Sequence, residues 1–101
     1  MVAAKRKVVW SDEAKTQLKS AYKYIGKNSY QNAVKVRADL VAHTRKLPVH
    51  PERHPLDKYK QDNDGSYRAF EKHKYRVVYR VLEGEIRILR VRHTGMEPLL
   101  Y

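Results

Sequence analysis

Residues 75–81 are typical of a β-strand whose arginines fall on one face, and this period of two constrains the fold more than any other feature of the sequence. Successive side chains of a β-strand point to opposite faces of the sheet. One face would carry Arg76, Val78 and Arg80, and the other Tyr75, Val77, Tyr79 and Val81. Because arginine suits planar, bidentate recognition of phosphate or carboxylate, the pattern predicts a rigid sheet with one face in a core and the other turned to an anionic partner.

The overall charge favours the same kind of partner. The chain has 22 lysines and arginines against 11 acidic residues, a formal net charge of +11. Such an excess attracts polyanions, so nucleic acid, a ribosomal surface or an acidic protein are the expected targets, with a merely soluble basic protein as the alternative. A hydrophobic content of 42% is too high for a disordered basic tail. With 101 residues, we expect a single domain over residues 1–101.

Several classes of protein are excluded by what the sequence lacks. It has no cysteine, which excludes disulfides, thiolate chemistry and cysteine-ligated zinc. It has no apolar run of signal-peptide length after its basic start, and no stretch of about 20 apolar residues. These absences predict an intracellular, cytoplasmic protein with no membrane partner.

The first half of the sequence predicts a strand and two helices. Lys7 to Trp10 is β-branched and aromatic, as in a strand. Ser11 is a predicted N-cap for a helix from Asp12 to Ile25, and Gly26 a predicted C′ stop. Its apolar stripe consists of Ala14, Leu18, Ala21, Tyr22 and Ile25.

A second helix is predicted to follow directly. Ser29 is its N-cap and Pro48 ends it. The short connection predicts an antiparallel helix hairpin. The apolar stripe of this helix consists of Ala33, Val36, Leu40, Thr44 and Leu47.

Residues 48–66 and the strands after them complete the pattern. The segment 48–66 predicts a long loop that is functional or contains a short helix, and Asn63-Asp64-Gly65 predicts a turn at its end. Strands are expected at Tyr67 to Lys72, Tyr75 to Leu82 and Glu85 to His93, in an antiparallel meander. Strict alternation would place Ile86, Ile88, Arg90 and Arg92 on one face of the last strand, and Arg87, Leu89, Val91 and His93 on the other.

In this order the elements resemble the toxins of the RelE/ParE superfamily from bacterial type II toxin–antitoxin modules. The resemblance covers nearly the whole chain. It implies an α+β fold: an N-terminal strand, an antiparallel helix hairpin and a three-stranded antiparallel meander, with both helices on one face of a twisted sheet. Its strongest elements are Val9-Trp10-Ser11, the strand of residues 75–81 and the strand of residues 88–93.

The resemblance implies two alternative activities. RelE-like toxins are metal-independent endoribonucleases that cleave mRNA on the ribosome, whereas ParE-like toxins poison DNA gyrase without being enzymes. Both act with a cognate antitoxin as partner and need no cofactor. Ribosome-dependent mRNA cleavage is the first hypothesis, gyrase the alternative, and an antitoxin-binding module without toxicity a third reading.

Arg76 is the first candidate site residue, since it matches the arginine that contacts the scissile phosphate in RelE-like nucleases. A guanidinium there would stabilise the charge of a phosphorane transition state. The alternative is an arginine that serves the sheet surface or an antitoxin carboxylate. The candidates for binding flanking backbone or target on the same surface are Arg68, Arg80, Arg90 and Arg92.

Proton transfer is assigned by the resemblance to His93, at the end of the last strand, and to Tyr101. Glu97 is a possible base. The main departure from the family lies at Gly95 and Met96, where many members carry arginines. Without them, RelE-type cleavage depends on Arg90 or Arg92.

No metal site is expected. His50 and His54 have a spacing of four residues, but Pro51 and Pro55 exclude the helix that would bring them together. The apolar positions of Tyr22, Tyr75 and Tyr79 place these tyrosines in the core rather than against bases.

Overall fold

The computed structural model describes residues 6–101, so the first part of the basic N-terminal segment lies outside the described residues. Residues 6–101 form a single four-stranded sheet and two helices, as the α+β prediction requires. The sheet order is β1-β4-β3-β2, with β1 parallel to β4 and the other neighbours antiparallel. The elements are β1 (Lys7–Trp10), α1 (Asp12–Gly26), α2 (Tyr30–Lys46), β2 (Tyr67–Lys72), β3 (Tyr75–Val81) and β4 (Glu85–His93).

Both helices begin at the predicted serine caps. The Ser11 hydroxyl accepts a hydrogen bond from the Ala14 amide at 3.0 Å and donates to the Leu89 carbonyl at 3.1 Å, which ties the start of α1 to β4. Ser29 caps α2 by accepting from the Asn32 amide at 3.1 Å. The caps satisfy amide groups that a helix N-terminus otherwise leaves without partners.

The prediction that Gly26 stops α1 as a left-handed C′ residue is wrong. The helix includes Gly26, and the following Lys27 keeps right-handed helical angles at φ −60° and ψ −33°. A Cβ on Gly26 would lie 3.7 Å from the Cβ of Ala33 on α2. A small side chain here would be in ordinary van der Waals contact with α2, so the close approach of the two helices does not require glycine.

The core lies between the helices and one face of the sheet. The helices contribute their predicted stripes, of which Ala14, Ala33 and Leu40 are fully buried. Tyr75 and Tyr79 are buried as predicted, whereas Tyr22 is only half-buried and stacks under Arg37. The buried residues of this core from the sheet are Phe70, Tyr75, Val77, Tyr79, Ile86, Ile88 and Val91.

A β-bulge in β4 changes the predicted faces of this strand. Tyr79 pairs with Ile88 and Val78 with Arg90, so Leu89 is an extra residue with no partner on β3. A bulge residue shifts the alternation that follows it by one position. The prediction that Ile86, Ile88, Arg90 and Arg92 share a face is therefore wrong: the isoleucines face the core, and the two arginines face away from it.

Two turns fix the ends of β2. Asn63 Oδ1 accepts from the Gly65 amide at 2.9 Å, and Gly65 has φ +97°, which confirms the predicted turn before this strand. At its other end, His73 and Lys74 have φ +54° and +66°. Positive φ at both central residues is the geometry of a type I′ hairpin turn, whose twist matches that of the strands.

The loop of residues 48–66 contains turns and no helix, and it packs along β2. The Asp57 amide donates to the Tyr67 carbonyl at 2.8 Å, and the Tyr79 hydroxyl donates to the Pro51 carbonyl at 2.8 Å inside the protein. Burial raises the pKa of Tyr79 to about 12, so this hydroxyl stays a donor. The loop is thus anchored to both the edge and the core of the sheet.

Within residues 6–101, neither α1 nor α2 is long and apolar enough to cross a bilayer.

Candidate functional site

The sheet face that points away from the helices carries five arginines, and we call it the arginine face. Its cross-strand pairs are Arg76 with Arg92, Val78 with Arg90, and Arg80 with Arg87. Like charges on directly opposite residues destabilise a sheet. The face therefore needs carboxylates close to these guanidinium groups. Its arginines are Arg76, Arg80, Arg87, Arg90 and Arg92.

Arg76 lies in the pair at one end of this face and is engaged by two carboxylates. Its Nη2 lies 2.7 Å from Asp57 Oδ1 and its Nη1 lies 3.0 Å from Glu71 Oε2. The Asp57 side chain has no exposed surface, and that of Arg76 is 17% exposed. The Tyr59 ring covers the guanidinium, with its centroid 4.8 Å from Cζ. The arginine predicted to bind an external anion already has an internal one.

Asp57 is the buried centre of a small hydrogen-bond network. Besides the Arg76 bond, its carboxylate accepts from the Tyr101 hydroxyl at 2.5 Å and from the Tyr59 amide at 3.2 Å. Burial alone raises the pKa of a carboxyl, but the bonds from Tyr101 and Arg76 outweigh it and lower the pKa of Asp57. Asp57 is therefore ionised and balances the charge of Arg76.

Tyr101 is held firmly by this network. Its amide donates to the Tyr59 carbonyl at 3.2 Å, and its carbonyl accepts from the Gln61 amide at 2.7 Å. The guanidinium of Arg90 stacks on the ring, 4.5 Å from the centroid. Burial and the bond to Asp57 raise the pKa of the Tyr101 phenol well above its usual value. The phenol keeps its proton at neutral pH, and that proton is already donated to Asp57.

The C-terminal tail, residues 97–101, covers the centre of the arginine face. Arg92 Nε donates to the Glu97 carbonyl at 2.8 Å. Beneath the tail, Val78 is only 4% exposed. A cavity of about 20 Å³ remains there, lined by residues that include Arg76, Arg90 and Leu99. The tail thus closes most of the surface that the sequence predicted to be open.

Arg80 and Arg87 lie further along the face and contact carboxylates of their own. Arg80 donates through Nε to Ser66 Oγ at 3.0 Å and lies 3.5 Å from Asp64. Arg87 Nε lies 2.7 Å from Glu85 Oε2. These two pairs are more exposed than the one at Arg76, so they form the accessible rim of the face.

The prediction that Arg68 extends this surface is wrong in geometry. Arg68 pairs with Tyr79, so its side chain lies on the core side of the sheet and not beside Arg76. Its Nη1 donates to the His54 carbonyl at 2.7 Å. Arg68 therefore anchors the loop of residues 48–66 at the sheet edge.

His93 is also separated from the other candidate residues. It pairs with Tyr75, on the core side, and the two rings lie 5.2 Å apart in an edge-to-face contact. Its Nδ1 accepts from the Gly95 amide at 2.9 Å. Because β3 positions 75 and 76 point to opposite faces, His93 and Arg76 do not share one reaction site. Of the predicted catalytic residues, only Arg76 and Tyr101 lie together.

The segment after β4 contains the family departure at Gly95 and Met96. A Cβ on Gly95 would lie 3.0 Å from His93 Nδ1 and 3.1 Å from His93 Cε1. Met96 follows with 53% of its surface exposed. No guanidinium takes the place of the family's arginines at these two positions.

Two features of the site were missed by sequence reasoning. Asp57 had one weak signal, an acidic residue in a long loop of an otherwise basic chain. The second feature is a pair of histidines, His43 on α2 and His54 in the loop, whose Nε2 atoms lie 2.9 Å apart. Burial lowers the pKa of both imidazoles. Together they join the loop that carries Asp57 to α2.

A wide groove lies between α1 and β4, away from the arginine face. It has a volume of about 610 Å³ and is lined mainly by apolar atoms of residues that include Ala21, Tyr24 and Val91. The Val91 amide donates to the Gln17 side chain at 2.6 Å, because β1 ends at Trp10 and pairs no further than Ile88. This edge of β4 is thus free of a neighbouring strand.

Metal binding finds no support in the described part of the chain. Among residues 6–101, no three histidine or carboxylate side chains are placed to hold a metal ion. The His43 and His54 pair stands alone, next to the cations Lys72, Arg53 and Lys46.

Comparisons with known proteins agree with this architecture. Residues 8–98 match the family described as the ParE toxin of the type II toxin–antitoxin system parDE. No curated protein sequence matches the chain.

Solved structures of toxin–antitoxin systems have the same fold at low sequence identity. A chain of the chromosomal ParDE system from P. aeruginosa has a TM-score of 0.68 and 21% identity, over 87% of this chain and 95% of that one. A chain of the RelBE2 complex from Mycobacterium tuberculosis has a TM-score of 0.61 and 19% identity, over 89% and 99%. A chain of the E. coli DinJ-YafQ complex has a TM-score of 0.52 and 20% identity, over 90% and 94%. The fold is therefore shared by ParE-like and RelE-like proteins.

Proposed function

Because the chain belongs to the ParE toxin family of type II toxin–antitoxin systems, we propose that it arrests growth by binding a protein target, DNA gyrase, rather than by cleaving RNA. The single observation that carries this choice is the ion pair between Arg76 and the buried Asp57. A guanidinium stabilises a phosphorane through its own uncompensated charge. Here that charge is balanced by a carboxylate 2.7 Å away.

The groups for proton transfer support the same choice. RNA cleavage through the 2′-hydroxyl needs a general base and a general acid near the scissile phosphate. Tyr101 has its proton committed to Asp57, and its raised pKa keeps the phenol protonated at neutral pH, so it neither accepts a proton nor releases one readily. His93 lies on the other side of the sheet. A protein that only binds its target needs none of these groups to exchange protons.

The target-binding surface in this proposal is the arginine face, with the rim as its contact region. Arg80 and Arg87 remain partly exposed there, with side chains 35% and 48% accessible. Arginine and tyrosine are enriched among the residues that dominate protein interfaces. The face combines both types, since Arg80 stacks on Tyr67 at 4.7 Å. The ion pair between Arg76 and Asp57 would stabilise the conformation of this surface.

A cognate antitoxin is the second proposed partner. The groove between α1 and β4 offers an apolar surface beside a strand edge, which suits an amphipathic helix followed by an added strand. Acidic residues in such a segment would complement the net charge of +11. The solved relatives include toxin–antitoxin complexes, which supports a partner of this kind.

The decisive experiment separates gyrase inhibition from message cleavage. The chain is expressed without antitoxin, message 5′ ends on ribosomes are mapped, and the purified protein is added to a gyrase supercoiling assay. We expect growth arrest with intact messages and inhibited supercoiling. Ribosome-dependent cleavage of messages with normal supercoiling would overturn the proposal in favour of the nuclease hypothesis.

Two double variants test whether the arginine face is the surface that inhibits gyrase. Arg80→Ala with Arg87→Ala should relieve supercoiling inhibition while leaving the Asp57 pair intact. The matched control is Arg45→Ala with Arg53→Ala, which removes the same charge from exposed positions outside the arginine face. If the control relieves inhibition as strongly as the rim variant, net charge and not the arginine face would account for gyrase binding.

A further inference from the structure

Helix α1 carries a series of lysines on its solvent side, which we call the lysine row; it winds by about 120° around the helix axis from its first to its last member. Its members are spaced by four residues, and all of them are exposed. Residues four apart on a helix are neighbours on one side, separated by about 6 Å along the axis. The row therefore extends over about 18 Å. It consists of Lys15, Lys19, Lys23 and Lys27, of which Lys27 caps the helix C-terminus.

The row has no carboxylate that compensates its charge. Among residues 6–101, no ion pair involves any of its four lysines. Like charges at this spacing destabilise a helix. Helix α2 shows the usual alternative, because there Lys35 is followed four residues later by Asp39, and the two side chains form an ion pair at 3.1 Å.

The helix dipole accounts for only part of the row. Cations near a helix C-terminus are stabilised by the macrodipole, and this benefits Lys23 and Lys27. Lys15 and Lys19 lie in the first half of the helix, beyond that benefit. Helix stability therefore gives no reason for the whole row, whereas an external polyanion does.

We propose that the lysine row binds the phosphate backbone of duplex DNA. Lysine is a compact point charge that contacts phosphates without reading bases, and a rigid, evenly spaced series of such charges suits a polyanion of regular shape. Ala14 and Ala21 bury the other side of α1 in the core, and Ser11 fixes its start, so the row is presented on a rigid element.

The choice of duplex DNA rests on the function proposed above, since gyrase acts on duplex DNA. The helices cover the core side of the sheet, and the arginine face lies on the opposite side. One molecule can therefore contact a protein through the arginine face and DNA through the lysine row at the same time. Such a toxin would bind the gyrase–DNA complex more tightly than either component.

The test measures binding of the full chain to a labelled 25-base-pair duplex of arbitrary sequence by fluorescence anisotropy, over a series of salt concentrations. The row variant replaces Lys15, Lys19, Lys23 and Lys27 by glutamine. Each phosphate contact contributes about 0.9 to the slope of log K against log salt, so the slope should become shallower by about 3.6. Affinity at 0.1 M salt should fall on the order of a hundredfold or more.

A matched variant removes the same charge elsewhere. It replaces Lys7, Lys46, Lys58 and Lys72, none of which belongs to the row, by glutamine. We expect its affinity to change less than about fivefold and its slope by less than about one, since distant charges act mainly through screened attraction. Equal losses in both variants, or none in the row variant, would overturn the proposal. Circular dichroism confirms that both variants keep the fold.

Two further measurements identify the nucleic acid that the row binds and separate this inference from the proposed function. Single-stranded RNA of equal charge should bind the row weakly; binding equal to that of the duplex, with the same dependence on the row, would show that RNA is the partner instead. The row variant should still bind gyrase free of DNA, whereas Arg80→Ala with Arg87→Ala should lose gyrase and keep DNA. If the unmodified protein binds DNA but does not inhibit gyrase, only the proposed function is contradicted.

Discussion

The arginine face and the lysine row are two basic surfaces of one small protein, and they differ in how their charge is used. On the arginine face, five arginines meet four carboxylates that contact them, so one net positive charge remains. On the lysine row, four lysines have no ion pair within residues 6–101. Most of the excess of +11 therefore lies outside the arginine face, although that face has the more conspicuous pattern in the sequence.

The difference follows from the chemistry of the two side chains. The planar guanidinium is weakly hydrated and forms several hydrogen bonds at fixed angles, so it fits buried carboxylates and stacks on aromatic rings. The lysine ammonium is strongly hydrated and remains in water on a flexible chain. In this protein arginine consequently organises the sheet, and lysine supplies the charge that is free to attract a polyanion.

The largest expected effect comes from removing Asp57. Asp57→Ala leaves Arg76 without its buried partner, and loss of one member of a buried pair costs about 3–5 kcal/mol of the free energy of unfolding. Urea unfolding followed by circular dichroism measures this change. The control is Asp39→Ala, which removes a partly exposed carboxylate that pairs with Lys35 and His73. If both variants unfold at the same urea concentration, the arginine face does not depend on its buried carboxylate.

The acid stability of the protein tests the same carboxylate without removing it. The pKa of Asp57 is lower in the folded state than its usual value near 3.9, so its contribution is present above pH 3.9 and is lost as the pH falls through the folded value. The free energy of unfolding should decrease from about pH 5 downward, and less steeply in Asp57→Asn. Parallel curves for the two proteins would contradict the assigned shift, since Asp39 and Asp64 titrate in both.

Tyr101→Phe should have a smaller effect, because it removes only one hydrogen bond to Asp57. A bond to a charged group contributes about 1.5–3 kcal/mol, and the ring that stacks with Arg90 is kept. Growth arrest should persist in this variant, since the proton of the phenol has no catalytic role in the proposed function. A Tyr101→Phe protein that folds but no longer arrests growth would indicate that Tyr101 has a catalytic role.

The smallest effect is expected in the lysine row and has the opposite sign. Lys19→Gln removes two like-charge neighbours, Lys15 and Lys23, and should raise the free energy of unfolding by about 0.5 kcal/mol at low salt. The gain should disappear in 1 M salt, where the screening length is about 3 Å. Thermal unfolding at the two salt concentrations measures both values. A destabilised Lys19→Gln would mean that the row has a structural partner.

Local patterns predicted most of the fold. The bounds of β1, β2 and β4 agree with the sequence, and β3 ends at Val81, one residue before the predicted Leu82. Both serine caps are confirmed by their hydrogen bonds. Alternation and capping depend on neighbouring residues, which a single sequence shows directly. Gly26 was misassigned because a glycine near the end of an apolar stripe is typical of a left-handed C′ residue, whereas here the chain keeps right-handed helical angles through Lys27.

The candidate site could be predicted only in part, because its geometry depends on register and on distant segments. The core-facing positions of β4 are Ile86 and Ile88, and the next one is Val91, three residues after Ile88 and not two. This irregular spacing was the only sign in the sequence of the bulge at Leu89. The face of Arg68 follows from its pairing with Tyr79, which no local pattern fixes. Asp57 reaches Arg76 from 19 residues away, so its role is visible only in three dimensions.

The contact between Gly95 and His93 limits which side chains position 95 can accept. Any side chain at position 95 would place its Cβ 3.0 Å from the imidazole, closer than ordinary packing permits. A Gly95→Arg substitution would therefore require the His93 imidazole to shift by a few tenths of an ångström. Because the Gly95 amide donates to His93 Nδ1 at 2.9 Å, this shift would also distort that hydrogen bond, whereas a smaller residue at position 93 would remove the close contact.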